Sequence, residues 1–120
     1  MRIKQLKECA QFTAGDKSLL REILNLRREK LKIRYSLAWA KVKPRKQTLP
    51  HKLKYAEVYY IIKGKGRMHI NNKKNLVKES DTIYIPPHAV QFIKNTGKGD
   101  LEFLCLVDPA WQPECERIVE

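Results

Sequence analysis

From Leu31 onward the apolar positions fall into short runs of β type: Ile33 to Val42, Val58 to Ile62, Arg67 to Ile70, Thr82 to Ile85, Val90 to Ile93 and Leu101 to Val107. Turn-forming residues separate them at Pro44, Pro50, Gly64-Lys65-Gly66, Asn71 to Asn75, Pro86-Pro87 and Asn95 to Gly99. That rhythm of short runs and turns predicts an all-β sandwich or barrel. Within Arg67 to Ile70, Met68 and Ile70 share one parity and Arg67 and His69 the other. Because strand side chains alternate between faces, His69 is expected on the solvent side.

The first third is less regular. Residues 1 to 15 offer Ile3, Leu6 and Phe12 as packing signals, and Gly15-Asp16 then punctuates the chain. Leu20, Ile23, Leu24 and Arg27-Arg28 fit a helical period with Asp16 as N-cap, whereas a barrel would place a strand around Arg21 to Leu26. Residues 16–31 stay open between helix and strand. The expected organisation is residues 1–33 as an arm with a strand or helix packing on a barrel, residues 34–107 as the barrel, and residues 108–120 as a C-terminal extension.

A chain of 120 residues with 42% apolar and 32% charged residues is expected to bury one core, and this excludes low-complexity and disordered classes. No apolar stretch approaches the roughly 18 residues that span a bilayer, and Met1 to Glu8 lacks the apolar run of a secretory signal. Cys9, Cys105 and Cys115 are odd in number and form no C-x-x-C pair, which fits reduced thiols and a cytoplasmic location. Lys and Arg outnumber Asp and Glu by 25 to 13, a net charge of +12, which raises a polyanion as partner. The bases are spread from Arg2 to Arg117, however, and read as a solvated face rather than a nucleic-acid site.

The chemistry centres on two segments. In Arg45 to Gly64, the residues Arg45, His51, Leu53, Glu57 and Gly64 have the spacing of Gly, five residues, His, one, His, three or four, Glu, six, Gly. In Ser80 to Asn95, the residues Ser80, Pro86, His88, Gln91 and Asn95 match Gly, five, Pro, one, Gly, two, His, three, Asn. These are the two motifs of the cupin superfamily, and the chain resembles a small single-domain member of it. His51, Glu57, Gly64, Pro86 and Asn95 keep the family residue.

The resemblance implies a jelly-roll β-barrel, frequently dimeric, in a family ranging from metal-dependent oxygenases, isomerases and epimerases to metal-free binding proteins. It implies ligand positions at His51, Leu53, Glu57 and Gln91, where the family typically has three His and one Glu. Leucine cannot coordinate a metal. The expected centre is therefore a divalent cation such as Mn, Zn, Fe or Ni held by His51, Glu57 and Gln91 and completed by water or substrate. The expected activity is that of an isomerase, lyase or oxygenase acting on or binding a small carboxylate or sugar-type molecule, and in an isomerase or lyase Glu57, or a tyrosine nearby, would serve as the acid or base.

The loss of two ligands supports an alternative, a metal-free module that binds or senses a small molecule. Excess positive charge favours an anionic ligand in either case. His88, at a motif glycine, is expected in a turn, because His tolerates a left-handed backbone. Cys105 is expected as a small buried residue, reactive only if turned toward Glu57. Trp39, Tyr55, Tyr59, Tyr60 and Tyr84 supply bulk that would suit a pocket or an ordinary strand alike. A homodimer is expected, because small jelly rolls leave sheet edges that a partner can cover.

Overall fold

The structure, a computed structural model, describes residues 1–119. Eleven strands among these residues form two antiparallel sheets: β1 (Gln11–Thr13), β2 (Leu19–Leu24), β3 (Ser36–Val42), β4 (His51–Leu53), β5 (Ala56–Lys63), β6 (Lys65–Ile70), β7 (Lys73–Lys78), β8 (Thr82–Ile85), β9 (Gln91–Asn95), β10 (Leu101–Asp108) and β11 (Glu116–Ile118). The larger sheet has the order β1-β2-β3-β10-β5-β8 and the smaller β11-β4-β9-β6-β7. Their inner faces enclose a jelly-roll barrel, as the turn spacing predicts.

Alternation builds the core directly. Along β10 the residues Leu101, Phe103, Cys105 and Val107 are buried while Glu102, Leu104 and Leu106 lie outward and only half covered. Phe103, Ile61, Ile85, Ile93 and Leu101 meet between the sheets as the largest fully buried apolar side chains. Truncating one of them to Ala costs about 2–5 kcal/mol.

Three local features differ from the sequence expectations or resolve them. The segment with a helical period is strand β2, paired to β3 with a bulge between Glu22 and Leu24. Its Leu, Arg and Glu favour a helix alone, but half-burial along the whole strand against β3 overrides that weak preference. Strand β7 occupies part of what read as a turn. Only Asn71-Asn72 turn, and β7 is an edge strand rich in Lys, the composition that blunts an open sheet edge. Finally, β2 and β11 belong to the sheets themselves, so the flanks of residues 34–107 complete the barrel rather than sit upon it.

Among the described residues, five non-glycine residues and Gly64 have positive φ. Arg45, Gly64, Ser80 and His88, at φ 67°, 87°, 73° and 68°, occupy the four motif glycine positions. Each stands where the chain crosses from one sheet to the other, between β3 and β4, β5 and β6, β7 and β8, and β8 and β9. A left-handed residue turns the chain sharply at those corners, which is why glycine suits them. At Gly64 the need is strict, because a Cβ would lie 2.5 Å from the carbonyl oxygen of Asp100.

Candidate functional site

A cavity of about 340 Å³ opens between the sheets, at the small end of the range usual for small-molecule sites. Its walls are mainly apolar, with Leu20, Leu53, Phe103, Val107 and Trp111 among them. The polar exceptions include His51 and Glu57, with Asp16, Ser18 and Glu116 from the two flanking segments.

Strand β4 aims His51 and Leu53 inward and Lys52 outward, and β5 does the same with Glu57 and Tyr59. The inward members are buried, His51 at 3% exposure and Glu57 at 6%. His51 and Gln91 are cross-strand partners in β4 and β9, which brings the two motifs together.

The His51 ring is fixed by its Nδ1, 2.7 Å from the carbonyl oxygen of Leu49. A carbonyl only accepts, so Nδ1 carries the proton and Nε2 is left to act at the site. Nε2 lies 3.7 Å from Asp16 Oδ2, and the other Asp16 oxygen accepts from the Ser18 amide at 3.0 Å and its hydroxyl at 2.7 Å.

Glu57 is the centre of a second network. Gln91 Nε2 donates to Glu57 Oε1 at 2.9 Å, and the Tyr59 hydroxyl donates to Gln91 Oε1 at 3.0 Å. Burial pushes the Glu57 pKa up to about 8, with the nearby charges of Asp16 and Glu116 acting the same way and the Gln91 hydrogen bond opposing. Glu57 is thus predominantly the neutral acid at pH 7. With Oε1 satisfied by Gln91, its O–H group is available to the cavity, which Glu57 lines and Gln91 does not.

These facts test the expected metal centre. No group of three His, Cys, Asp or Glu among the described residues is arranged to hold a metal ion. Leu53 faces the cavity at the second His position, and the Gln91 oxygen is engaged by Tyr59. Of the expected donors His51, Glu57 and Gln91, the Gln91 amide is committed on both sides, its oxygen to Tyr59 and its nitrogen to Glu57. Gln91, fully buried at 1% exposure, instead holds Glu57 in place.

The remaining candidates divide clearly. Cys105 lines the cavity, yet burial drives its thiol well above the ordinary range and keeps it protonated. His88 is an exposed turn residue with positive φ. Of the five aromatic candidates only Tyr59 faces the cavity, and burial raises its hydroxyl pKa too. Tyr55 packs beside Leu53, while Trp39, Tyr60 and Tyr84 point outward.

The sequence reading missed Asp16 as a site residue, along with Ser18, Glu116 and Trp111. They come from segments that carry no motif, and the one signal among them, Asp16 after Gly15, reads equally well as a helix cap.

A family model described as Cupin domain matches residues 38–107. An uncharacterized protein of Methanocaldococcus jannaschii is 41% identical over 110 residues, covering 91% of this chain and 87% of that protein. An oxalate-binding protein of Thermotoga maritima is 39% identical over 51 residues, 42% of each chain. The crystal structure of a protein from Thermotoga maritima described as a predicted oxalate decarboxylase superposes with a TM-score of 0.80 at 23% identity, covering 90% of this chain and 99% of that one.

Proposed function

The chain belongs to the cupin family, and on that premise we propose that it binds a small carboxylate in the barrel cavity without a metal ion. The observation that carries this reading is Glu57, a carboxyl kept in its acid form on the wall of a largely apolar cavity. A carboxylate entering such a space loses water and needs donors in return. The Glu57 O–H supplies one, and hydrogen bonds from a neutral acid to a carboxylate are short and strong. The Tyr59–Gln91–Glu57 chain fixes the direction of that donor. The name of the oxalate-binding relative supports the ligand class. The apolar walls favour a carboxylate that also carries a hydrocarbon part.

A role for Glu57 as acid or base in an isomerase or lyase reaction is compatible with the same geometry, because a pKa near 8 suits proton transfer around neutral pH. Three free cysteines agree with a cytoplasmic protein, and among the described residues no helix is long and apolar enough to cross a membrane.

The test is calorimetric titration of chelator-treated protein with oxalate and with longer mono- and dicarboxylates, beside elemental analysis of untagged protein. Binding should survive chelation, weaken above about pH 8 as Glu57 ionises, and disappear in Glu57→Ala. Stoichiometric Mn, Zn, Fe or Ni that is lost in His51→Ala, or binding that requires added metal, would overturn this reading in favour of a metal-centred site.

A further inference from the structure

The five-stranded sheet has a second face, turned away from the cavity. Alternation sends Lys65, Arg67 and His69 of β6 outward, with Lys74, Leu76 and Lys78 of β7, Phe92 and Lys94 of β9, Lys52 of β4 and Arg117 of β11. The registers set these residues side by side: Lys65 opposite Lys78, Arg67 between Leu76 and Lys94, His69 between Lys74 and Phe92, and Lys52 opposite Arg117. Seven outward positions are cationic and none carries Asp or Glu. None of the seven cations forms an ion pair within 4 Å among the described residues.

At the middle of this cationic field the rings of His69 and Phe92 stack, with centroids 4.1 Å apart and planes 11° from parallel. Both are half-buried, so part of each ring remains at the surface. Burial, helped by the nearby charges of Arg67, Lys74 and Lys94, lowers the His69 pKa and favours its neutral form. A neutral imidazole stacked on a phenyl ring presents a flat aromatic platform rather than another charge.

We propose that the outer face of the five-stranded sheet binds single-stranded nucleic acid. The lysines and arginines meet phosphates, and His69 with Phe92 meets the face of an unpaired base. A duplex would satisfy the cations but hide its base faces from the rings, and a lipid surface would leave the aromatic pair without a specific role. Five strands about 4.8 Å apart make a platform roughly 19 Å wide, enough for a few nucleotides. The wide spacing of these bases along the chain concealed the patch. They lie two apart within strands that are distant in sequence, and only the sheet gathers them.

Fluorescence anisotropy with a labelled oligothymidylate of about 16 nucleotides, at about 50 mM salt and upward, tests the proposal. Micromolar binding is expected, weakening with salt at about 0.7 of a log unit per phosphate contact. Phe92→Ala and Phe92→Leu should each weaken binding about tenfold with an unchanged salt slope, because they remove stacking and keep the charge. Arg67→Glu with Lys94→Glu should weaken it further and flatten the slope, while Lys30→Glu with Lys32→Glu, the same charge change outside this face, should cost no more than about twofold. Absence of binding at the lowest salt would overturn the proposal. So would full affinity in both Phe92 variants, or displacement of the oligonucleotide by duplex DNA or anionic vesicles as effectively as by unlabelled single strand.

Discussion

The two sheets contribute to one cavity from inside but differ completely outside. The six-stranded sheet presents Leu37, Leu106, Val58 and Tyr84 in one outward row and Trp39, Leu104, Tyr60 and Thr82 in the next. Trp39 is covered there by Arg21 and Lys41, which lie over its ring, but Tyr60, Ile62 and Tyr84 are exposed. The five-stranded sheet presents cations around one aromatic stack. The inner chemistry is shared, with Glu57 from one sheet held by Gln91 from the other. Period-two alternation lets one strand serve both purposes independently, as in β4, where His51 and Leu53 line the cavity and Lys52 faces solvent.

The largest expected effect tests the shared interior. Glu57 has a folded pKa near 8 against 4.5 for the free group. Between those values the unfolded chain has released the proton and the folded chain keeps it, so stability falls as pH rises from about 4.5 to 8 and levels off above. At about 1.36 kcal/mol per unit the loss is on the order of 5 kcal/mol. Glu57→Gln carries no titrating group and should remove this dependence, which makes it more stable than the parent at pH 9. Urea melts at pH 5, 7 and 9 would show it, and parallel profiles for the two proteins would mean that Glu57 is ionised in the fold.

The next contrast sets one outer face against the other. If the homodimer expected from the sequence pairs through this apolar face, Leu104→Glu should weaken it by about a hundredfold or more, since a buried interfacial position would then hold an unpaired charge. Leu76→Glu, on the cationic face at a residue 70% exposed, should leave the dimer intact. Light scattering at tens of micromolar reads both. A parent that is already a monomer there would leave the apolar face without a partner copy.

How far the sequence foretold this molecule depends on the kind of signal. Strands with an apolar parity, such as β8 and β10, were legible almost to the residue, and so was the outward place of His69. Strand β2 was ambiguous because its residue types favour one structure and its pairing partner another. The spacing of the motifs placed His51, Glu57 and Gln91 together, and the structure pairs them as that spacing implies. What spacing could not convey was the state of each donor. The proton on Glu57 depends on burial, and the engagement of Gln91 depends on Tyr59, which belongs to no motif position. Asp16 and Glu116 enter the cavity from opposite ends of the chain, a proximity that only the closed barrel creates.

The smallest effects lie at the corners that join the two sheets. Gly64 is the one of the four that still has glycine, and Gly64→Ala would set a Cβ 2.5 Å from the Asp100 carbonyl oxygen and 3.1 Å from the Leu101 Cα, both backbone atoms that cannot swing away. We expect a loss of about 2 kcal/mol. The other three corners hold Arg45, Ser80 and His88 in the same left-handed region, each at a cost of roughly 1 kcal/mol that glycine would not incur. At His88 the backbone amide donates to the Leu53 carbonyl oxygen at 2.7 Å, so the corner is already fixed in place while its exposed ring contributes little burial. His88→Gly should therefore relieve strain without loosening the joint. The greater freedom that glycine gives the unfolded chain opposes this gain and leaves a net stabilisation of about 0.5 kcal/mol, or roughly 2 °C in melting temperature. A lower melting temperature in His88→Gly would show that the His88 side chain, and not only its backbone, holds the corner between β8 and β9.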